Sequence, residues 1–225
     1  MPKTKSEKLR IILSRLFFAI AIICFLFTGS KIENNFPILS NFIFLFSCFM
    51  VSIAVFGRSW CSVYLAGFKN IKLVTTGPFS ISRNPLYLFS FIGMLGVAFS
   101  TETFTIPLIT TIFFIFYYSA IIKSEEKRLS ERFKDEFISY VNTVPKFIPK
   151  IRDIIFIIKS SSMPRKMKDS ISTGIFKEEN ILEVSPRQIR TAIIDNIWFV
   201  VLLGFIRLLH SMQNIGILHP HIFVY

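Results

Sequence analysis

Residues 85–122 read PLYLFSFIGMLGVAFSTETFTIPLITTIFFIFYYSAII, and a single charge, Glu102, interrupts them. The runs on either side, Pro85 to Thr101 and Thr103 to Ile122, carry no charge at all. A bilayer core of about 30 Å takes roughly 20 helical residues to cross. The second run reaches that length and the first comes close to it. Lipid offers backbone groups no other partner, so runs of this kind are expected to be helical. Only a few residues around STET join the two. Spans joined so tightly are antiparallel neighbours, and Pro85 and Ile122 return to the same side.

Working outward, Phe36 to Gly57 is also free of charge and longer than either. Leu16 to Ser30 is the shortest run, but Arg15 can snorkel outward and extend it toward Leu9. The stretch FTGSKIE after it lacks a small-x-small cleavage site, so it reads as an uncleaved anchor. Downstream, Ile193 to Leu209 is apolar apart from Asp195 and Arg207; it reads as a fifth span or an interfacial helix, with the span preferred. The expected fold is all-α: a multi-pass transmembrane helical bundle of four spans and a candidate fifth. Leu129, Phe133, Phe137 and Tyr140 recur at helical spacing among charges, which predicts an amphipathic cytoplasmic helix running on from the fourth span. Pro145 and Pro149 end it. The chain divides into a hairpin (1–57), a core (58–150) whose first part, Arg58 to Asn84, is a loop, a basic linker (151–190) and a terminal segment (191–225).

Half the residues (52%) are hydrophobic and 27 are phenylalanine, more than a soluble domain of 225 residues can hide. The net charge is +12. Its placement matters more than its sum. Lys3, Lys5, Lys8, Arg10 and Arg15 crowd the N-terminus, and Arg58, Lys69, Lys72 and Arg83 fall between the second and third spans with no acid. Residues 123–190 hold 15 basic and 10 acidic side chains. The first and third connections carry little. This alternation puts the N-terminus and the second connection in the cytoplasm, and anionic lipid explains the remaining basic excess. No nucleic-acid partner is expected. Cys24, Cys48 and Cys61 lack metal-ligand spacing. His210, His219 and His221 form too loose a pattern for a metal site, so no metal is expected.

The antiparallel pair has a consequence. Just before the third span stand the turn LVTTGPF (Leu73 to Phe79) and SRNPLY (Ser82 to Tyr87); just after the fourth stands KSEEKRL. Arg83, Asn84 and Tyr87 are therefore expected to face Glu125 and Glu126 at one membrane surface, beside the free N–H groups of a helix start. A cation, donors, an aromatic ring and two carboxylates suit a polar zwitterion. Each residue also has a plainer role. Arg83 can be a positive-inside flank, Asn84 an N-cap before Pro85 at the first helical position, Tyr87 part of an aromatic belt, and the glutamates a solvated face. On the residues alone both readings stand.

The ordered set LVTTGPF, SRNPLY, SEEKRL, RFKDEFISYV and VPKFIP resembles the isoprenylcysteine carboxyl methyltransferase family and its phospholipid methyltransferase relatives. The resemblance covers roughly Gly57 to Pro149. It implies an integral membrane methyltransferase using S-adenosylmethionine, with the cofactor enclosed at the cytoplasmic face by Leu73, Val74, Phe79, Asn84, Pro85, Leu86, Tyr87, Glu125 and Glu126. Implied roles are Glu125, with Glu126, on the ribose or amino group, Arg83 on a cofactor or substrate carboxylate, Asn84 and Tyr87 on the methionine end, and Phe79 against the adenine or sulfonium. Arg83 and Asn84 are the residues placed at the reacting centre. The implied acceptor is a lipophilic or lipid-linked molecule entering from the membrane. Asn84 stands where the family has histidine, so no titratable base remains there; a carboxylate acceptor, already ionised, would need none. Phe89 replaces a common glycine and is expected to narrow the groove between spans. Ile121 replaces an arginine that some members use for substrate, which argues against a prenylcysteine carboxylate. Sterol-type membrane reductases using NADPH share part of the pattern but have more spans, and a non-catalytic protein retaining the fold is the remaining alternative.

Overall fold

The structure, a computed structural model, describes residues 28–30, 32, 35–65, 72–149, 186–217 and 222–224. Four helices make up most of it: α1 (Pro37–Leu65), α2 (Pro85–Phe99), α3 (Thr105–Thr143) and α4 (Pro186–Asn214). A 3-10 turn, Gly77–Ser80, precedes α2. Most of the expected first span and of the linker lies outside the described residues. The end of that span, Thr28–Ser30, is not helical: it forms β1, paired in parallel with β2 (Ile222–Val224). The all-α expectation is corrected to that extent, because a parallel partner from the C-terminal end takes up this backbone.

Among the described residues three helices are long and apolar enough to cross a membrane: α1, α3 and the Asn196–Gln213 stretch of α4. The remaining helix, α2, which corresponds to the third expected span, has only 15 residues and stops short of Thr101, about 22 Å at 1.5 Å per residue. Its shortness leaves the following loop tucked into the end of the bundle. Ser100, Thr101, Glu102 and Thr103 are all buried. Irregular backbone beside lipid is tolerated where protein covers it. The helix α1 runs past Gly57 to Leu65, so the loop before α2 starts later than the charge of Arg58 suggests.

Helix α1 shows how the bundle packs. Its buried residues are Ser40, Ile43, Ser47, Val51, Ala54, Gly57 and Cys61, one seam at three- and four-residue intervals. Phe36, Phe42, Phe46, Phe49 and Phe56 point outward. Small residues inside and large apolar ones outside is the pattern of helices packed in lipid, where close backbone approach drives association. At Gly57 an added Cβ would strike the Phe89 ring, and at Gly93 it would come within 2.6 Å of Phe199. Phe89 thus fills the space left by Gly57 and lies on the α1 side of α2. The core joins Val51 of α1, Val97 of α2 and Ile206 and Leu209 of α4.

Helix α4 is fastened at two levels. At one, Arg58 donates from Nε to Asn196 Oδ1 (2.8 Å) and bonds Ser90 Oγ, while Asn196 donates from Nδ2 to Ser59 Oγ (2.9 Å). At the other, Glu102 meets Arg207 at 2.6 Å, with His210 Nδ1 3.6 Å from the same oxygen. The order of these contacts runs α4 parallel to α2 and antiparallel to α1.

Candidate functional site

The end of the bundle that holds the start of α2 is built by three short sequences. Pro78 and Phe79 are buried in the 3-10 turn, which Gly77 enters at φ +60°, a conformation costly for other residues. Asn84 takes the N-cap position of α2, with Pro85 first in the helix. Its side chain makes no capping bond. Instead Nδ2 donates to Glu126 Oε1 (3.3 Å) and to the Lys146 carbonyl (3.0 Å). Between cap and bridge, the geometry selects the bridge.

Glu125 and Glu126 come from α3, on its continuation beyond the apolar run. Tyr87 donates its hydroxyl to Glu125 Oε2 (2.8 Å). Arg83 approaches Glu126 Oε1 at 3.4 Å, and Lys146 Nζ lies 3.2 Å from Glu126 Oε2. The expected convergence of residues 83–87 on the two glutamates is therefore present. Arg83 is mostly buried (13% exposed), yet its Nε has no hydrogen-bond partner among the described residues. A buried donor left without a partner is costly, and a bound oxygen would remove that cost.

The third sequence closes over the first two. The amphipathic stretch after α3's apolar run is helical, but it breaks at Lys134 (φ 40°, ψ −112°). The break turns Phe137 and Tyr140 back onto Leu73, with Phe133 and Val144 around them. Tyr140 donates to the Phe79 carbonyl at 2.6 Å. Beyond Thr143 the chain runs as a strap. The Pro145 carbonyl accepts from the Arg83 N–H (2.9 Å), and the Phe147 carbonyl from Ser82 Oγ (2.9 Å).

The other residues singled out by sequence sit at different distances from this chemistry. Leu73 and Phe79 are buried beneath it as packing, and Val74 is half-buried on the same loop. Pro85 is buried, and Leu86 lends its carbonyl to Ser90 Oγ (2.6 Å). Below Tyr87 an aromatic column continues toward the apolar interior: Tyr118 at 5.6 Å, then Phe114 stacked at 4.3 Å and Phe91 at 4.4 Å. Sequence reasoning missed Lys146. Its signal was the only cation in the strap, VPKFIP.

At the opposite end, Glu102 is wholly buried. Its carboxylate takes bonds from Arg207 and Ser40, and its carbonyl accepts from Ser30 Oγ (2.6 Å). Burial works to raise the pKa of this carboxyl, but the nearby His210, the Ser40 hydroxyl bond and the charge of Arg207 outweigh it and hold the pKa below its ordinary value. Among the described residues no group of three or more His, Cys, Asp or Glu side chains could hold a metal ion.

Residues 36–136 match the profile of a family described as phospholipid methyltransferase. The nickel-cobalt-cadmium resistance protein NccN of Alcaligenes xylosoxydans xylosoxydans is 37% identical over 125 residues, which are 54% of this chain and 58% of that protein. The cobalt-zinc-cadmium resistance protein CzcN of Cupriavidus metallidurans is 35% identical over 125 residues, 54% of this chain and 57% of its own. The chain thus spans a little over half the length of these curated relatives. No solved structure matches.

Proposed function

The chain belongs, through residues 36–136, to the phospholipid methyltransferase family, and from that premise we propose that it is an integral membrane methyltransferase using S-adenosylmethionine on a lipophilic acceptor. The observation that carries this reading is the meeting of Arg83, Asn84 and Tyr87 with Glu125 and Glu126 at one end of the α2–α3 pair. A zwitterionic methyl donor suits such a set. Two carboxylates can accept from its ammonium and ribose hydroxyls, and the unpartnered Arg83 Nε can meet its carboxylate.

When bound, the cofactor supplies an electrophilic methyl group on a positively charged sulfur. The protein's task is then alignment and exclusion of water, and alignment alone can contribute about 7–11 kcal/mol. Tyr87 is held by Glu125 and by the Tyr118 ring, so its position is fixed before ligand arrives. Asn84, bound to Glu126 and to the strap carbonyl, cannot take up a proton at neutral pH. An acceptor already carrying its nucleophilic lone pair, such as a carboxylate, fits this set better than an ammonium. The aromatic column between α2 and α3 offers an apolar wall on the membrane side. Charge placement along the chain supports a cytoplasmic location for this end.

Equilibrium binding of labelled S-adenosylmethionine to the detergent-purified chain tests the reading. Wild type is expected to bind, and Glu125→Ala with Tyr87→Ala together to abolish binding; unchanged binding in that double variant would remove the proposed site. The relatives' names add a phenotype: cells lacking the protein are expected to tolerate nickel, cobalt or cadmium less well, which growth on graded metal concentrations measures.

A further inference from the structure

Glu126 is the most contested group at the proposed site. Its Oε1 is approached by Asn84 and Arg83, and its Oε2 by Lys146. The two cations differ in how they are held. Arg83 is mostly buried and its backbone N–H is tied to the strap, whereas the Lys146 side chain is 42% exposed. The backbone on which Lys146 rides is pinned: carbonyls 145, 146 and 147 accept in turn from the Arg83 N–H, the Asn84 amide and the Ser82 hydroxyl. The strap is fixed, then, and the lysine head is the part free to swing toward water.

Charge gives that freedom a purpose. At Glu126, Arg83 and Lys146 set two positive charges against one carboxylate. A methyl donor bearing an ammonium, a sulfonium and a carboxylate carries one net positive charge, so the doubly paired carboxylate attracts it poorly. With Lys146 withdrawn, Glu126 keeps one cation instead of two. The same withdrawal frees Glu126 Oε2 for an ammonium, and Arg83 Nε stands ready for a carboxylate. We propose that Lys146 is an exchangeable counter-ion: it neutralises Glu126 and gives way to the cationic group of the methyl donor. This rests on the methyl-donor reading above and adds to it a residue that acts through Glu126.

The test is equilibrium binding of labelled S-adenosylmethionine to the full chain in detergent at several salt concentrations, for wild type, Lys146→Met and Lys146→Arg. In wild type one ion pair replaces another, so affinity should depend little on salt. Lys146→Met removes the competitor and makes the new pair a net gain. It is expected to bind about tenfold more tightly at low salt and to lose that gain as salt rises. Lys146→Arg should behave as wild type. A merely structural lysine would not steepen the salt dependence. Folding is followed by the thermal midpoint, expected to match wild type because the side chain is half exposed. Binding by Lys146→Met that is equal to or weaker than wild type overturns the exchange while leaving the donor site standing. Failure of all three proteins to bind overturns the methyl-donor reading itself, and the exchange with it.

Discussion

The helix pair α2–α3 carries a cluster of charge at each end, and the two clusters are built on opposite principles. At the Glu102 end one carboxylate is wholly buried and surrounded by donors from other elements: Ser40 of α1, Arg207 and His210 of α4. At the Arg83 end Glu126 meets two cations beside Glu125, the partners are partly exposed, and one buried guanidinium nitrogen has no hydrogen-bond partner among the described residues. A wholly buried cluster closed by side chains from other helices holds a structure together; a partly exposed one with a movable cation can exchange partners with a ligand. The difference predicts that substitutions at one end act on stability and at the other on binding.

The largest effect is expected at Glu102. Glu102→Ala leaves Arg207 and His210 facing an empty acceptor position at the loop that short α2 leaves in the end of the bundle. Removing one member of a buried pair costs about 3–5 kcal/mol, and the partial exposure of Arg207 puts this case near the lower figure. Thermal unfolding in detergent should show a large fall, with S-adenosylmethionine affinity kept in the protein that stays folded. Loss of binding without loss of stability would break the comparison.

Next comes Tyr87→Phe. It removes one hydroxyl bond to a carboxylate, worth about 1.5–3 kcal/mol. The bond positions two residues of the proposed site, so its loss should weaken cofactor binding, roughly ten- to a hundredfold, and lower the thermal midpoint less than Glu102→Ala does, because this bond is only part-buried. A smaller effect, about 1 kcal/mol, is expected for Asn84→Ser. Serine caps helices as well as asparagine does, but it is too short to bridge Glu126 and the Lys146 carbonyl. If Asn84→Ser binds cofactor like wild type, residue 84 is a cap after all.

Sequence and structure agree most at the end where the signal is local. Residues 83–87 and 125–126 are two short stretches, and the brief 101–104 connection forces their helices side by side. Periodicity and loop length sufficed. The other cluster joins Ser40, Glu102, Arg207 and His210, which lie far apart along the chain, so neither pattern nor motif reports it. Glu102 read as a bare loop charge, His210 as a tail residue and Arg207 as an interruption in an apolar run. One cue was present: an ionisable residue within a membrane span is expected to have a partner, and Arg207 had none nearby in sequence. The break at Lys134 had no cue at all, since neither proline nor glycine marks it; the burial of Phe137 and Tyr140 against Leu73 accompanies it. The strand pair is equally non-local, linking residue 28 to residue 222.

The finest test of the contrast is pH. Glu102 is held below its ordinary value of 4.5 because His210, Ser40 and Arg207 together outweigh the cost of its burial. A carboxyl depressed on folding contributes stability above its unfolded pKa and loses it as pH falls through the folded one, where folded protein must finally take up the proton. The contribution should therefore be complete at pH 7 and decline only below about pH 4.5. Every other acid that is ionised in the fold also weakens the protein in this range, so the raw midpoint cannot isolate one group. The gap between wild type and Glu102→Gln can. Glutamine keeps the shape and an acceptor but never ionises, so the gap should be widest near neutrality and close as Glu102 itself becomes neutral. His210 and Arg207 both favour the ionised form, which pushes the closure to lower pH. A gap that stays constant down to pH 3 would mean that shape and hydrogen bonding, rather than charge, hold the far end together, and the contrast with the Arg83 end would then be one of burial alone.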